Sequence, residues 1–399
     1  MQTGFDLPTP DPEALAHSER LRSQVLTRCA ADGDFLSFAD YMDAVLYTPG
    51  LGYYSAGAQK FGIAGDFITA PELGTVFARC LARLAGAALR ELGGGVLLEV
   101  GGGSGALAAD LLLALRDQPP DRYLLLDVSG DLRERQRQMI ERRVPELLHR
   151  VAWLDALPAT PLTGILLANE VLDALPAERF RMRSGVPWQL GVRASGGELA
   201  WAERPAAGPL LAALGGLQAA LGRPLPDGYT SEIRPRQGDW LRSLLAVLGR
   251  GLALCIDYGG TRREVYHPDR SGGTLAGYYR HRQLSDPFFL PGLQDLTAWV
   301  DFSAVARTAL NAGLSVAAYG TQAHTLLATG ILESWPGDGS PADPVRLREL
   351  QQIQRLLLPG EMGERFKVLA LARDFSPGFP LTARDLAASL EATAQPAGD

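Results

Sequence analysis

At 399 residues, with 46% hydrophobic and 21% charged residues, the chain is long enough for one large domain with insertions or for two domains. A formal net charge of -7 leaves no basic footprint for nucleic acid, and no segment approaches the roughly eighteen uninterrupted apolar residues that membrane insertion needs. Only Cys29, Cys80 and Cys255 occur, far apart and without clustered histidines, which argues against disulfides and a metal and fits a reducing, cytoplasmic setting.

The first thirteen residues have neither the apolar core of a secretory signal nor the Arg-rich look of a transit peptide. Residues 1–75 read as a helical N-terminal cap, with helical spacing over 15–30 and 38–46 and an aromatic-rich Gly/Pro turn at Tyr47-Thr-Pro-Gly-Leu-Gly-Tyr-Tyr54. A helix over 73–92 then leads into a core made of residues 76–183 and 240–380. Strand-like apolar runs fall at 96–100, 123–127, 151–154, 164–169, 252–257, 314–320 and 366–372, and helical patterns at 132–143, 240–248 and 302–312. Strands alternating with helices predict an α/β fold, a mainly parallel seven-stranded sheet with helices on both faces.

Two interruptions stand out. Residues 184–239 read as an insertion with a hairpin around Ala194-Ser-Gly-Gly197, then a helix and the segment 229–235. Residues 259–295 form a long irregular, lid-like loop. The tail, 381–399, carries a short helix and a frayed end. No internal repeat is present.

The strand at 96–100 ends in the chemically richest motif, Val96-Leu-Leu-Glu-Val-Gly-Gly-Gly-Ser-Gly105. Gly101, Gly103 and Gly105 accept positive φ without steric cost, which lets backbone N–H groups approach a ligand at the positive end of the next helix. In that helix Leu107, Leu111 and Leu115 form a stripe and Asp110 falls off it. Gly101-x-Gly103-x-x-Ala106 also fits a dinucleotide fingerprint, with Asp127 after the next strand. Glu99 argues against that reading. A pyrophosphate is anionic, whereas S-adenosylmethionine carries a sulfonium and an α-ammonium. Two unit charges about 4 Å apart interact by about 4 kcal/mol at an effective dielectric near 20, enough to bias ligand choice. The alternative is that Glu99 only holds loop amides.

Seven strand candidates with a glycine loop after the first and an acid after the second resemble the Rossmann-like class I S-adenosylmethionine-dependent methyltransferases. More specifically, the chain resembles the MidA-like family, which includes a mitochondrial complex I assembly factor that methylates an arginine. The resemblance runs through Leu46-Tyr-Thr-Pro-Gly-Leu-Gly-Tyr-Tyr54, Gly65-Asp-Phe-Ile-Thr-Ala-Pro-Glu72, the glycine loop, and Ala168-Asn-Glu-Val-Leu-Asp-Ala-Leu-Pro176. It continues through Ser231-Glu-Ile-Arg-Pro235, Ile256-Asp-Tyr-Gly259, Asp295-Leu-Thr-Ala-Trp-Val-Asp-Phe302 and Glu361-Met-Gly-Glu-Arg-Phe-Lys-Val368. Two positions depart from it: Gly102 stands where many members have proline, and Asp127 where glutamate is more common.

The resemblance implies S-adenosylmethionine as cofactor, S-adenosylhomocysteine as product and no metal. Asp127 would accept the ribose hydroxyls, its alternative being a turn or helix-cap role. Trp153 and Asp155 would meet the adenine, or else serve packing and a cap. Thr69 or Asp66 would touch the methionine moiety, or form a buried turn. After the fourth strand, where this fold places its methyl acceptor, Glu170 and Asp173 offer paired carboxylates. A guanidinium has five fixed donors that such a pair can bind bidentately, leaving one nitrogen in line for direct displacement. The competing reading gives Asn169 and Glu170 to the cofactor and makes Asp173 a helix cap. Glu232 is a third candidate for substrate, with Arg234 or Arg236 as alternative partners. Tyr258 would line the acceptor pocket or belong to the core. His281 lies in the lid, its alternative being a solvated histidine in a polar loop, and Arg133-Glu-Arg-Gln-Arg137 reads as a solvated helix face.

Three functions follow. One is a protein arginine methyltransferase acting on a partner protein, with the N-terminal cap and both insertions forming the acceptor groove. Another is a small-molecule methyltransferase, and the third is a cofactor-binding assembly protein without turnover. A homodimer is compatible with all three.

Overall fold

The computed structural model describes residues 8, 10–56, 69–334 and 343–392. Two compact units divide the chain: Met1–Ile68 with Ala174–Pro235 and Pro268–Ala298, and Thr69–Asp173 with Arg236–His267 and Trp299–Asp399.

The second unit is built on β1 (Val96–Val100), β2 (Arg122–Leu126), β3 (Val151–Leu154), β4 (Leu162–Asn169), β5 (Leu248–Gly260), β6 (Ser315–Thr321) and β7 (Phe366–Arg373). Their order across the sheet is β6-β7-β5-β4-β1-β2-β3. The first five are parallel, and β7 runs antiparallel between β5 and β6. Fully buried parallel strands read as unbroken apolar runs, and β1, β4, β5 and β7 are buried over nearly their whole lengths. The sheet has eight strands rather than the expected seven, because Val300–Asp301 pairs with the end of β5 at Gly259–Gly260. Glycine permits that approach: a Cβ on Gly259 would stand 2.2 Å from the Val300 carbonyl oxygen.

Helices flank the sheet, and the apolar faces of Thr75–Leu92 and Ala106–Ala114 join its core. Ala106–Ala114 is buried on nearly every side, so Asp110 lies inside instead of off a stripe, its charge met by Arg143 at 2.5 Å. The strand order reverses between β1 and β4: the chain steps outward through β2 and β3, then returns to the other flank of β1. Ligands of open α/β sheets bind in the crevice beyond the carboxyl ends at such a switch point. The glycine loop leaves β1 there, and Asn169–Asp173 leaves β4.

In the first unit the helices Pro12–Ala31 and Phe38–Tyr47 share a core with an antiparallel five-stranded sheet. That sheet takes Leu36–Ser37, Val186–Ser195, Glu178–Arg183 and Thr230–Ile233 in order, with Glu198–Pro205 completing the expected hairpin. The segment read as a long irregular lid contains a small sheet instead, with Ala276–Tyr279 paired to Arg282–Leu284 and to Asp295–Thr297. A two-residue turn of Arg280 (φ 45) and His281 (φ 61) closes its hairpin. A type I′ hairpin turn requires positive φ at both central residues, usually supplied by Asn-Gly, so Arg280-His281 carries no sequence signature.

Candidate active site

Gly101, Gly103 and Gly105 all adopt positive φ, at 68, 52 and 84 degrees. Gly105 opens the helix Ala106–Ala114, and a Cβ there would meet the Gln136 backbone at 2.7 Å. A Cβ on Gly101 would come 3.0 Å from Val171, which shows how closely the loops after β1 and β4 approach. Ser104 Oγ donates to Glu72, so the Thr69–Glu72 turn hangs on the glycine loop. Thr69 precedes the short helix Ala70–Leu73 without a side-chain cap bond. Gly65–Ile68, and with it Asp66, lies outside the described residues.

Glu99 is buried at the end of β1 and accepts a 2.6 Å hydrogen bond from the Tyr123 hydroxyl on β2; among the described residues no loop amide donates to it. Burial pushes its carboxyl up to about 7, against the lowering effect of Tyr123. Asp127 is buried too, and burial raises its proton affinity. One of its oxygens accepts the Ser129 N–H at 3.1 Å and the other the Gln136 amide at 3.0 Å. Trp153 donates to Gln136 at 2.9 Å, while the Arg137 guanidinium lies 4.4 Å above its ring. Asp155 is exposed and ion-paired with Arg133, which also donates twice to the Asp127 carbonyl. The run 133–137 is therefore no plain solvated face. Leu132, Gln136 and Ile140 form the buried stripe of the helix Gly130–Arg143, a four-residue spacing visible in the sequence.

Beyond β4 the carboxylates converge. Glu170 adopts φ 54, a left-handed conformation that costs a non-glycine residue about 1–3 kcal/mol and marks functional loops. Its N–H donates to Ile256 on β5 at 2.8 Å. Asn169 Nδ2 donates to Glu170 at 3.3 Å, while its buried Oδ1 has no hydrogen-bond partner among the described residues. The residue that organises this loop is Asp257, to which sequence reading assigned no role. It is fully buried, and one of its oxygens accepts the N–H groups of Val171 (3.2 Å), Leu172 (2.9 Å) and Asp173 (3.2 Å). Its other oxygen accepts the Tyr258 N–H at 2.9 Å. Burial, then the charges of Asp173 and Glu170, hold the Asp257 carboxyl well above the usual range. Tyr258 donates its hydroxyl to Asp173 at 2.5 Å and meets Phe366 edge-on.

A glycine cradle beside a cluster of carboxylates at a switch point agrees with a sequence match over residues 77–320 to the family described as "putative S-adenosyl-L-methionine-dependent methyltransferase". The chain belongs to this methyltransferase family. A solved COG1565 superfamily member from Burkholderia thailandensis, bound to S-adenosyl-homocysteine, is 40% identical with a TM-score of 0.89, covering 95% of this chain and 98% of that one. Among curated relatives, the mitochondrial protein arginine methyltransferase NDUFAF7 of Homo sapiens is 28% identical, covering 84% of this chain and 80% of its own. The Drosophila melanogaster homolog, also mitochondrial, is 28% identical over 91% of this chain and 88% of its own.

These relatives correct the cytoplasmic expectation for this methyltransferase. Cys29, Cys80 and Cys255 are free and buried. Among the described residues no helix is long and apolar enough to cross a membrane. Glu232 accepts from the N–H (2.7 Å) and hydroxyl (3.1 Å) of Thr274 and pairs with the Arg179 guanidinium at 3.5 Å. Arg234 donates to the carbonyl of Leu175 at 2.9 Å, and Tyr47 to that of Ala174 at 3.0 Å. Two motifs far apart in the sequence thus secure the chain that continues from the Asn169–Asp173 loop.

Proposed function

We propose that this methyltransferase modifies an arginine of a partner protein, with Glu170 and Asp173 as the carboxylates that hold the guanidinium. The observation that carries the reading is the convergence of Glu170, Asp173 and Asp257 beside the glycine loop, where burial, and after it the repulsion from Asp173 and Glu170, raises the Asp257 proton affinity. A cationic acceptor relieves that repulsion, and a planar guanidinium meets two carboxylates through several donors at once. The arginine specificity named for the curated relatives points the same way.

The residues present fit S-adenosylmethionine: a loop in which Gly105 admits no Cβ, a buried Asn169 Oδ1 open to a donor, and a buried Glu99. In this reading Glu99, the amides of Gly101, Gly103 and Gly105, Thr69, Asp127, Asp155 and Asn169 hold the cofactor, which when bound supplies a methyl group on a sulfonium. Glu170 orients the nucleophilic nitrogen. Asp173, with its hydrogen bond from Tyr258, accepts the proton released as the nitrogen–carbon bond forms.

Purified protein incubated with labelled S-adenosylmethionine and lysate of its own host is expected to yield methylarginine in protein, detected by mass spectrometry. Label confined to small molecules overturns the proposed acceptor. Glu170→Gln is expected to keep cofactor affinity and lose about thirtyfold in turnover, the loss of one charge-assisted contact; unchanged methylation sinks its role.

A pH dependence follows from Glu99. Its carboxyl titrates near 7 in the folded protein, and a cationic cofactor favours the ionised form. Binding below that pH expels a proton, so affinity weakens as pH falls, by up to about tenfold per unit, and levels off above about pH 8. Calorimetric titration with S-adenosylmethionine at several pH values is expected to show this slope in the parent protein and not in Glu99→Gln. An equal slope in both removes Glu99 from the cofactor's surroundings.

A further inference from the structure

We propose that Gln136 is a positioning residue of the cofactor site, its side-chain amide setting Asp127 and Trp153 against the glycine loop. This rests on the reading that Asp127 faces the ribose. Gln136 is completely buried and makes three side-chain contacts: Nε2 donates to the Gly103 carbonyl at 3.2 Å and to Asp127 Oδ2 at 3.0 Å, and Oε1 accepts from Trp153 Nε1 at 2.9 Å. The orientation of this amide is determined by chemistry. An indole N–H can only donate, so the atom facing Trp153 is the oxygen, and the nitrogen then meets two acceptors. One amide therefore joins the loop after β1, the acid after β2 and the aromatic on β3.

The carboxylate torsion of an aspartate is broad, so a buried Asp127 needs fixed partners to hold one orientation. Ser129 N–H occupies one oxygen and Gln136 the other, and each oxygen keeps a lone pair for a second donor. Two such lone pairs match the two hydroxyls of a ribose. Holding Trp153 through its N–H also fixes the plane of its ring, over one face of which the Arg137 guanidinium lies. The contacts concern only the nucleoside part of the ligand, so S-adenosylmethionine and its demethylated product respond equally.

Titration calorimetry with S-adenosylhomocysteine, on folded variants checked by thermal melting, tests this. Gln136→Glu removes the donor and sets a carboxyl against Asp127; the other charged groups around this pair are Arg133, Arg137, Asp155 and Glu99, whose carboxyl feels the Asp127 charge. At pH 8 it is expected to bind about tenfold more weakly than the parent, with turnover at saturating cofactor within about threefold. At pH 6 the deficit relative to the parent shrinks, because a protonated carboxyl donates to Asp127 as the amide does. Gln136→Met fills the same space without a donor and is expected to stay weak at both pH values, and it carries the test if Gln136→Glu does not fold. Affinity within twofold of the parent in both variants, or a deficit in Gln136→Glu that ignores pH, overturns the proposal. Asp127→Asn run alongside separates the two levels: if it too binds normally, the ribose reading fails; if it alone weakens binding, only the role of Gln136 fails.

Discussion

Asp257→Ala is expected to lower turnover about a hundredfold and to destabilise the protein by roughly 2–4 kcal/mol. The alanine leaves the buried amides of Val171, Leu172 and Asp173, and that of Tyr258, without their acceptor. Each orphaned donor costs about 1–3 kcal/mol, and relief of carboxylate burial and repulsion offsets part of the sum. The loop then relaxes, Glu170 leaves its left-handed conformation, and the acceptor loses alignment. Asp257→Asn retains one oxygen for the three loop amides and turns its NH2 toward Tyr258 N–H, so its effect falls between parent and alanine. Melting temperature and kcat together check this. Parent-like turnover in a folded Asp257→Ala variant would remove Asp257 from the machinery.

Gly105→Val is expected to abolish measurable cofactor binding, a loss of at least about a hundredfold. Two effects add. The φ of 84 degrees costs a non-glycine residue about 1–3 kcal/mol, and more for a β-branched one. The added carbon lands 2.7 Å from the Gln136 backbone, an overpacking that costs about 1–3 kcal/mol unless the loop shifts. Shifting moves the amides that cradle the ligand. Calorimetry with S-adenosylhomocysteine reads the outcome; affinity within threefold of the parent would show that the loop adapts.

The core sheet was legible because its strands are apolar runs between glycine turns, and six of the seven predicted spans begin and end within two residues of the observed ones. β5 extends further, from Leu248 to Gly260, because Gly249, Arg250 and Gly251 break the apolar run and a register shift hides its start. Glu178–Arg183 went unread as a strand because arginines alternate with its buried Phe180 and Met182. At the site, the positive φ of the glycines follows from residue type. Asp257 does not follow from any local pattern. Its role depends on parallel pairing of Ile256 with Asn169, which brings residues more than eighty positions apart into hydrogen-bond range. Gln136 sits among arginines and is revealed by its spacing from Leu132 and Ile140, a stripe overlooked because its middle member is polar.

The placement of β7 has a consequence for biosynthesis. The strand that fills the gap between β5 and β6 is the last of the sheet to be made, and roughly a hundred residues separate it from the end of β5. At translation rates of about 5–20 residues per second, the flank of β5 waits about 5–20 seconds for its partner. During that interval a long apolar strand carries an open edge, the feature most prone to pairing with the wrong chain. The nascent protein thus carries this open edge after its cofactor loops have already been made.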